Sequence, residues 1–188
     1  METAKVVADR SFFPYTPFVE SAMYFCEEMK RKDFVSWHDL LAATTLLALS
    51  VEAIVNTFGE LLVPDFGDFE SSPPKAKLRL ICQAAAIPFD KTAAPFVDIW
   101  LLLKIRNQFA HPKFKTLRYE SQVMPISDAQ KHMHELGELL HDVEKALDPE
   151  LAERFLGAIL ELVKTLKTAL PPNQRIGTSS KRLVFEGD

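Results

Sequence analysis

Two stretches of this chain carry apolar residues on nearly every side of a helical wheel. The first spans 37–62, with Leu40, Leu41, Leu46, Leu47, Leu49, Val51, Ile54, Val55, Phe58 and Leu61. The second spans 96–109, with Phe96, Val97, Ile99, Trp100, Leu101, Leu102, Leu103, Ile105 and Phe109. A helix that is apolar all round has to be buried all round. Both are therefore expected at the centre of a helical bundle, or shared with a second copy at a dimer interface. Two later segments carry one apolar stripe each: Met133, Leu136, Leu140, Val143 and Leu147, then Leu151, Phe155, Ile159, Leu162 and Leu166. A single stripe predicts outer helices with one wet face.

Proline punctuates this pattern. The chain has 12 prolines and 6 glycines, and the prolines sit at segment ends, where they stop or start helices. Pro14 and Pro17 lead into a helix over about 16–32, and Ser36 is placed to cap the next one, 37–62. Pro64, Gly67 and the run Ser71-Ser72-Pro73-Pro74 form a loop. A helix over about 75–87 stops at Pro88, and Pro95 starts another that ends at His111 before Pro112. Ser127 and Asp128 cap a helix to about Leu147. Asp148-Pro149-Glu150 reads as an N-cap with proline at the first helical position, opening a helix to about Leu170 that Pro171-Pro172 ends. No long stretch alternates apolar and polar residues as a sheet would require. The expected fold is all-α, a bundle of about five to six helices with short extensions. Residues 1–14 form an N-terminal extension, 15–170 one helical domain, and 171–188 a tail in which Leu183-Val184-Phe185 could dock as a short strand.

Composition narrows the class. At 188 residues and 47% hydrophobic, the chain can bury a core without a staple. Its net charge is −4, so any nucleic-acid contact has to come from a local basic patch. Cys26 and Cys82 lie in apolar helical stretches with no metal-type spacing, which predicts buried reduced thiols. The N-terminus lacks the basic and apolar regions of a signal peptide. The longest uncharged run, 40–51, is short of the roughly 18 residues a membrane span needs. A soluble, cytoplasmic protein is expected. There is no glycine-rich phosphate loop, no Gly-x-Ser-x-Gly and no paired-cysteine site.

The second apolar helix changes character at its end, where Lys104, Arg106, Asn107, Gln108 and His111 follow the apolar run. Asn107 and His111 are four residues apart and share a face. Arg106 lies roughly 140° from His111 around the axis and can bend back by its length. Arginine's planar fork binds phosphate through two hydrogen bonds, and histidine exchanges a proton near neutrality. Such a group suits RNA cleavage: Arg106 counters phosphate charge, His111 handles a proton and Asn107 orients them, with no cofactor required. From Ile99 to Tyr119 the chain has no acid but holds Lys104, Arg106, Lys113, Lys115 and Arg118. That electropositive stripe would attract RNA through its phosphates. The same residues also suit a purely structural role, complementing the helix dipole and capping free carbonyls.

Arg106-Asn107, three further residues and His111, followed by Pro112 at the end of an apolar helix, resemble the signature of the HEPN superfamily. The stretch Ser50-Val51-Glu52-Ala53-Ile54-Val55-Asn56 also looks like that family's first core helix, and the resemblance covers roughly 37–147. It implies a helical bundle with a four-helix core that dimerises, so that two Arg–His motifs face each other in one composite cleft. It further implies a metal-independent endoribonuclease in a toxin–antitoxin or phage-defence setting, with an antitoxin or regulatory protein as partner. The alternative is a member that has lost activity and serves as a helical interaction module. Some members carry a tyrosine two residues after the histidine as a modification target. Lys113 stands there in this chain, which argues against that control. Glu52 matches an acidic residue common on the family's core helix. By its own spacing it is either a surface charge or a hydrogen-bond partner for Asn56.

One rival constellation exists. His134, Glu138 and His141 share a helical face, and Glu138-Leu139-Leu140-His141 has the Glu-x-x-His spacing of di-iron bundles. A metal-binding four-helix bundle is the weaker alternative, because no other histidine has a glutamate three residues before it. Glu27-Glu28 ahead of Lys30-Arg31-Lys32 predicts exposed pairs along the first helix. Trp37 is expected to pack as a staple before the second helix, and Trp100 to sit in the core. Neither reads as a base-stacking platform.

Overall fold

A computed structural model describes residues 4–10, 13–111, 123–128, 147–171 and 179–185. The architecture is the expected helical bundle. Its main helices are α1 (Thr16–Lys30), α2 (Trp37–Leu62), α3 (Pro74–Ala84), α4 (Phe96–Ala110) and α5 (Pro149–Ala169), with a 3-10 turn at Phe66–Phe69. The expected helix over 127–147 and its histidines lie outside the described residues, apart from a helical start at 126–128.

α2 is the hub and touches α1, α3, α4 and α5. By length and composition alone it could cross a membrane, with a mean hydropathy of 1.6 over its most apolar window. Here Leu47, Val51, Ile54, Val55 and Phe58 are fully buried against the surrounding helices. α5 presents Phe155, Ile159, Leu162 and Leu166 to this core as one stripe, as its sequence period predicts.

α4 departs from the expectation of burial on every side. Phe96, Ile99, Leu102, Leu103 and Ile105 are buried, whereas Val97 is 39% exposed and Trp100, Leu101 and Phe109 are half-buried. Among the described residues α4 packs chiefly against α2 and α5, and Trp100 also meets Lys75 of α3; these neighbours leave part of its circumference exposed. The stripe Val97, Leu101, Lys104 and Gln108 remains its open face.

The ends of the helices carry the sequence signals in part. The Ser36 hydroxyl accepts from the Asp39 amide at 3.1 Å, and Asp148 accepts from the Leu151 amide at 3.0 Å. The staple at the start of α2 is not Trp37, which is 38% exposed and meets the His38 ring edge-on. It is Val35, one residue before the cap, which packs in the same cluster as Leu40 at the fourth helical position. α1 ends at Lys30, two residues early. Its charged end pairs as expected, Lys30 with Glu27 at 3.1 Å and Arg31 with Glu28 at 2.8 Å, while Lys32 reaches Asp39 at 2.7 Å.

α3 stops at Ala84, three residues before the position expected from Pro88. Ala86 adopts a left-handed conformation with φ 53°, its amide bonds to the Gln83 carbonyl, and the Ile87 amide reaches back to Cys82 at 2.8 Å. This is a Schellman C-cap, with alanine where glycine is the usual signal.

The two chain ends are not independent extensions. A strand β1 (Ala4–Arg10) pairs antiparallel with β2 (Ser179–Phe185), with Ala4 opposite Phe185 and Arg10 opposite Ser179. The short strand expected at Leu183-Val184-Phe185 lies within β2. Its partner comes from the opposite end of the chain, which no local pattern could indicate.

Candidate functional site at the end of helix α4

The buried residues of α4 fix its rotation. Leu102, Leu103 and Ile105 point into the core, so Arg106 emerges at the edge of the packed face, and Asn107 and His111 emerge on the exposed side. Facing this edge, α2 buries Val51 and leaves Glu52 half-buried beside it. The crossing of α2 and α4 therefore brings Glu52 and Arg106 together.

The contacts are specific. Arg106 Nη2 lies 2.5 Å from Glu52 Oε1, and Arg106 Nη1 donates to Asn107 Oδ1 at 3.1 Å. The Arg106 and Glu52 side chains are each about a third exposed, at 33% and 30%. A pair this wet contributes little to stability, about 0–1 kcal/mol, but it fixes where the guanidinium points. Asn107 also holds the other side of the motif, because its carbonyl accepts from the His111 amide at 3.1 Å. His111 is the C-cap, with φ −130° and ψ 56°, and its side chain is exposed. The following proline disfavours helical geometry at that residue, and this turns His111 out of the helix. Asn107 thus contacts both partners, its side chain on Arg106 and its backbone on His111.

Glu52 meets neither alternative read from its own spacing. It pairs with Arg106, while Asn56 accepts from Lys77 Nζ at 2.8 Å. Lys77 is 6% exposed, and its ammonium also lies 5.7 Å from the Phe66 ring centre. Sequence reasoning missed this lysine; the only available signal was its place beside Leu78 and Ile81 on the apolar side of α3. It also missed the tie between Arg154 Nη2 and Asp98 Oδ1, 2.5 Å long, which joins α5 to α4.

Of the basic residues expected to bind RNA, Lys104 is exposed on α4. Lys113, Lys115 and Arg118 lie outside the described residues, as do His134, Glu138 and His141. Among the described residues, no group of three or more His, Cys, Asp or Glu is placed to hold a metal. Cys26 and Cys82 are free and buried, and burial pushes the Cys82 thiol up to about 11. Comparison with family models, curated proteins and solved structures finds no match.

Proposed function

We propose that this chain is a metal-independent endoribonuclease of the HEPN type whose site is completed in a homodimer. The observation that carries the reading is the held arginine: Glu52 and Asn107 fix Arg106, and an exposed His111 stands at the end of the same helix. On the exposed side of α4, Val97 offers apolar surface to a second copy, while Lys104 stays open to solvent. Two copies would supply two histidines. One takes the proton from the RNA 2′-hydroxyl as its oxygen bonds to phosphorus. The other gives a proton to the 5′-oxygen as the P–O5′ bond breaks. Arg106 stabilises the charge that builds on the phosphoryl oxygens. The resemblance supports a cytoplasmic toxin–antitoxin or defence setting, with an antitoxin as partner.

The test is cleavage of RNA by the purified chain in EDTA. General acid–base catalysis supplies about 10²- to 10⁴-fold, so His111→Ala should lose at least about a hundredfold in rate. Equal cleavage by wild type and His111→Ala, or none by either, refutes the catalytic reading. A monomer at assay concentration refutes the composite site.

One observation favours a second reading, a non-catalytic helical interaction module. Both terminal nitrogens of Arg106 are already engaged within the chain. Glu52→Gln separates the two. It should lower cleavage if Glu52 positions Arg106 for phosphate, and should leave every RNA readout unchanged if the pair is structural only.

A further inference from the structure

A second cationic feature lies beside the motif, on α3. Lys75 and Arg79 are one turn apart on that helix and share a face. Lys75 Nζ sits 5.0 Å from the centre of the Trp100 ring, and the Arg79 guanidinium lies 5.5 Å from that of Phe89. The two rings pack against each other, with centres 5.5 Å apart, and Phe89 also meets Phe96 at 4.7 Å. Two rings wedged between α3 and α4 thus hold two cations in place.

Lys104, one turn after Trp100 on α4, adds a third. Burial pushes the Lys75 ammonium below the usual lysine range, and the neighbouring charge of Lys104 pushes it the same way. Among the described residues Lys75, Arg79 and Lys104 have no carboxylate partner; Lys77, Lys91, Lys164 and Lys167 lack one too, so what marks the three is their place around Trp100 and Phe89. Like charges gathered without a counter-charge are unfavourable until an anion joins them.

The order of the cations matters. Trp100, Lys104, Asn107 and His111 fall at helical spacing along one side of α4, a length of roughly 16 Å. Arg79 lies by Phe89, ahead of α4. Lys75 lies by Trp100, and Lys104 lies two turns before His111. We propose that Arg79, Lys75 and Lys104 form a track across α3 and α4 that holds the phosphate backbone of single-stranded RNA and leads it to His111. This rests on the ribonuclease reading for the identity of the polyanion. A single line of cations matches one phosphate chain. Each ring already carries a cation on one face, and cations bind phosphate, so recognition is of the backbone and not of the bases.

Binding can be separated from cleavage with a fluorescent 2′-O-methyl oligoribonucleotide, whose 2′-oxygen cannot attack. Its affinity for the full chain is measured by anisotropy across a salt series. Lys104→Gln and Arg79→Gln, both at exposed positions, should each weaken binding severalfold. The triple variant with Lys75→Gln should lose at least about tenfold, and the slope of log K against log salt should fall by about 0.7 per contact removed. Lys164→Gln, an exposed lysine on α5, should bind as wild type does, and His111→Ala should bind yet not cleave. Circular dichroism checks folding; if Lys75→Gln folds poorly, the Lys104 and Arg79 variants carry the test. The track is refuted if wild type does not bind, if the folded track variants bind within twofold of wild type, or if Lys164→Gln weakens binding as much as Lys104→Gln. Displacement of the oligonucleotide by polyglutamate as readily as by RNA refutes it too. Loss of cleavage in His111→Ala with unchanged binding in the track variants would sink the track and leave the nuclease reading standing.

Discussion

Gly59 sits in the last third of α2 with the Phe66 ring laid across it. A Cβ at this position would lie 2.1 Å from Phe66 Cζ, 2.2 Å from Cε2 and 2.5 Å from Cε1. Carbon atoms in contact prefer about 3.5–4.0 Å, so Gly59→Ala forces the ring to move by roughly 1.5 Å. Two effects compete. Alanine in a helix interior is favoured over glycine by about 1 kcal/mol. Against that, overpacking a filled site costs about 1–3 kcal/mol, and expelling a buried phenylalanine altogether costs about 3 kcal/mol or more. Phe66 is 7% exposed and also receives the Lys77 ammonium, so it has little freedom to slide. The steric cost wins, and Gly59→Ala should destabilise the protein by about 1–2 kcal/mol net in urea unfolding. A double-mutant cycle with Phe66→Ala isolates the clash. Once the ring is gone, alanine at position 59 should be neutral or stabilising by about 1 kcal/mol. If Gly59→Ala alone stabilises, or costs the same with and without the ring, the close approach of α2 and Phe66 is wrong.

Two further outcomes follow from titratable groups. The Asp39 carboxyl is held below its ordinary range chiefly by its hydrogen bond with Lys32. A depressed folded value means its contribution is present above the ordinary carboxylate pKa and is lost as pH falls through the folded one. NMR titration should therefore place Asp39 below 3.8, and Asp39→Asn should flatten the acid limb of the stability profile; a midpoint at or above that value contradicts the contact. Cys82, buried and raised to about 11, should stay inert to a thiol reagent at pH 8 in the native protein and react once urea exposes it. Rapid native labelling of Cys82 would show that the α3 side of the core is open.

Much of the bundle could be read from residue order alone. Apolar periodicity placed α2, α4 and α5, because the pattern that fills a core is a local property of each helix. Ser36 and Asp148 marked two starts for the same reason: a cap bonds an amide three residues on. Arg106, Asn107 and His111 were legible as a motif, since they lie within a turn and a half of one helix. Local signals also misled. α3 ended early because Ala86 took a left-handed turn that the eye assigns to glycine. Trp37, expected as the staple, stays 38% exposed, and Val35, one residue before the cap, takes that place.

What only the tertiary structure decided is every pairing between elements. Glu52 could have faced solvent or Asn56; the crossing of α2 and α4 set it on Arg106. Lys75 and Arg79 carried no visible link to the motif until two aromatic rings joined α3 to α4. The exposed face of α4 depends on where its neighbours pack, which its own composition cannot express. Helical period constrains which side of a helix is buried, whereas the rotation and crossing of two packed helices depend on how both surfaces interlock. The amino-acid order therefore determined the helices and the motif, and packing determined which charge holds Arg106 and which cations stand beside it.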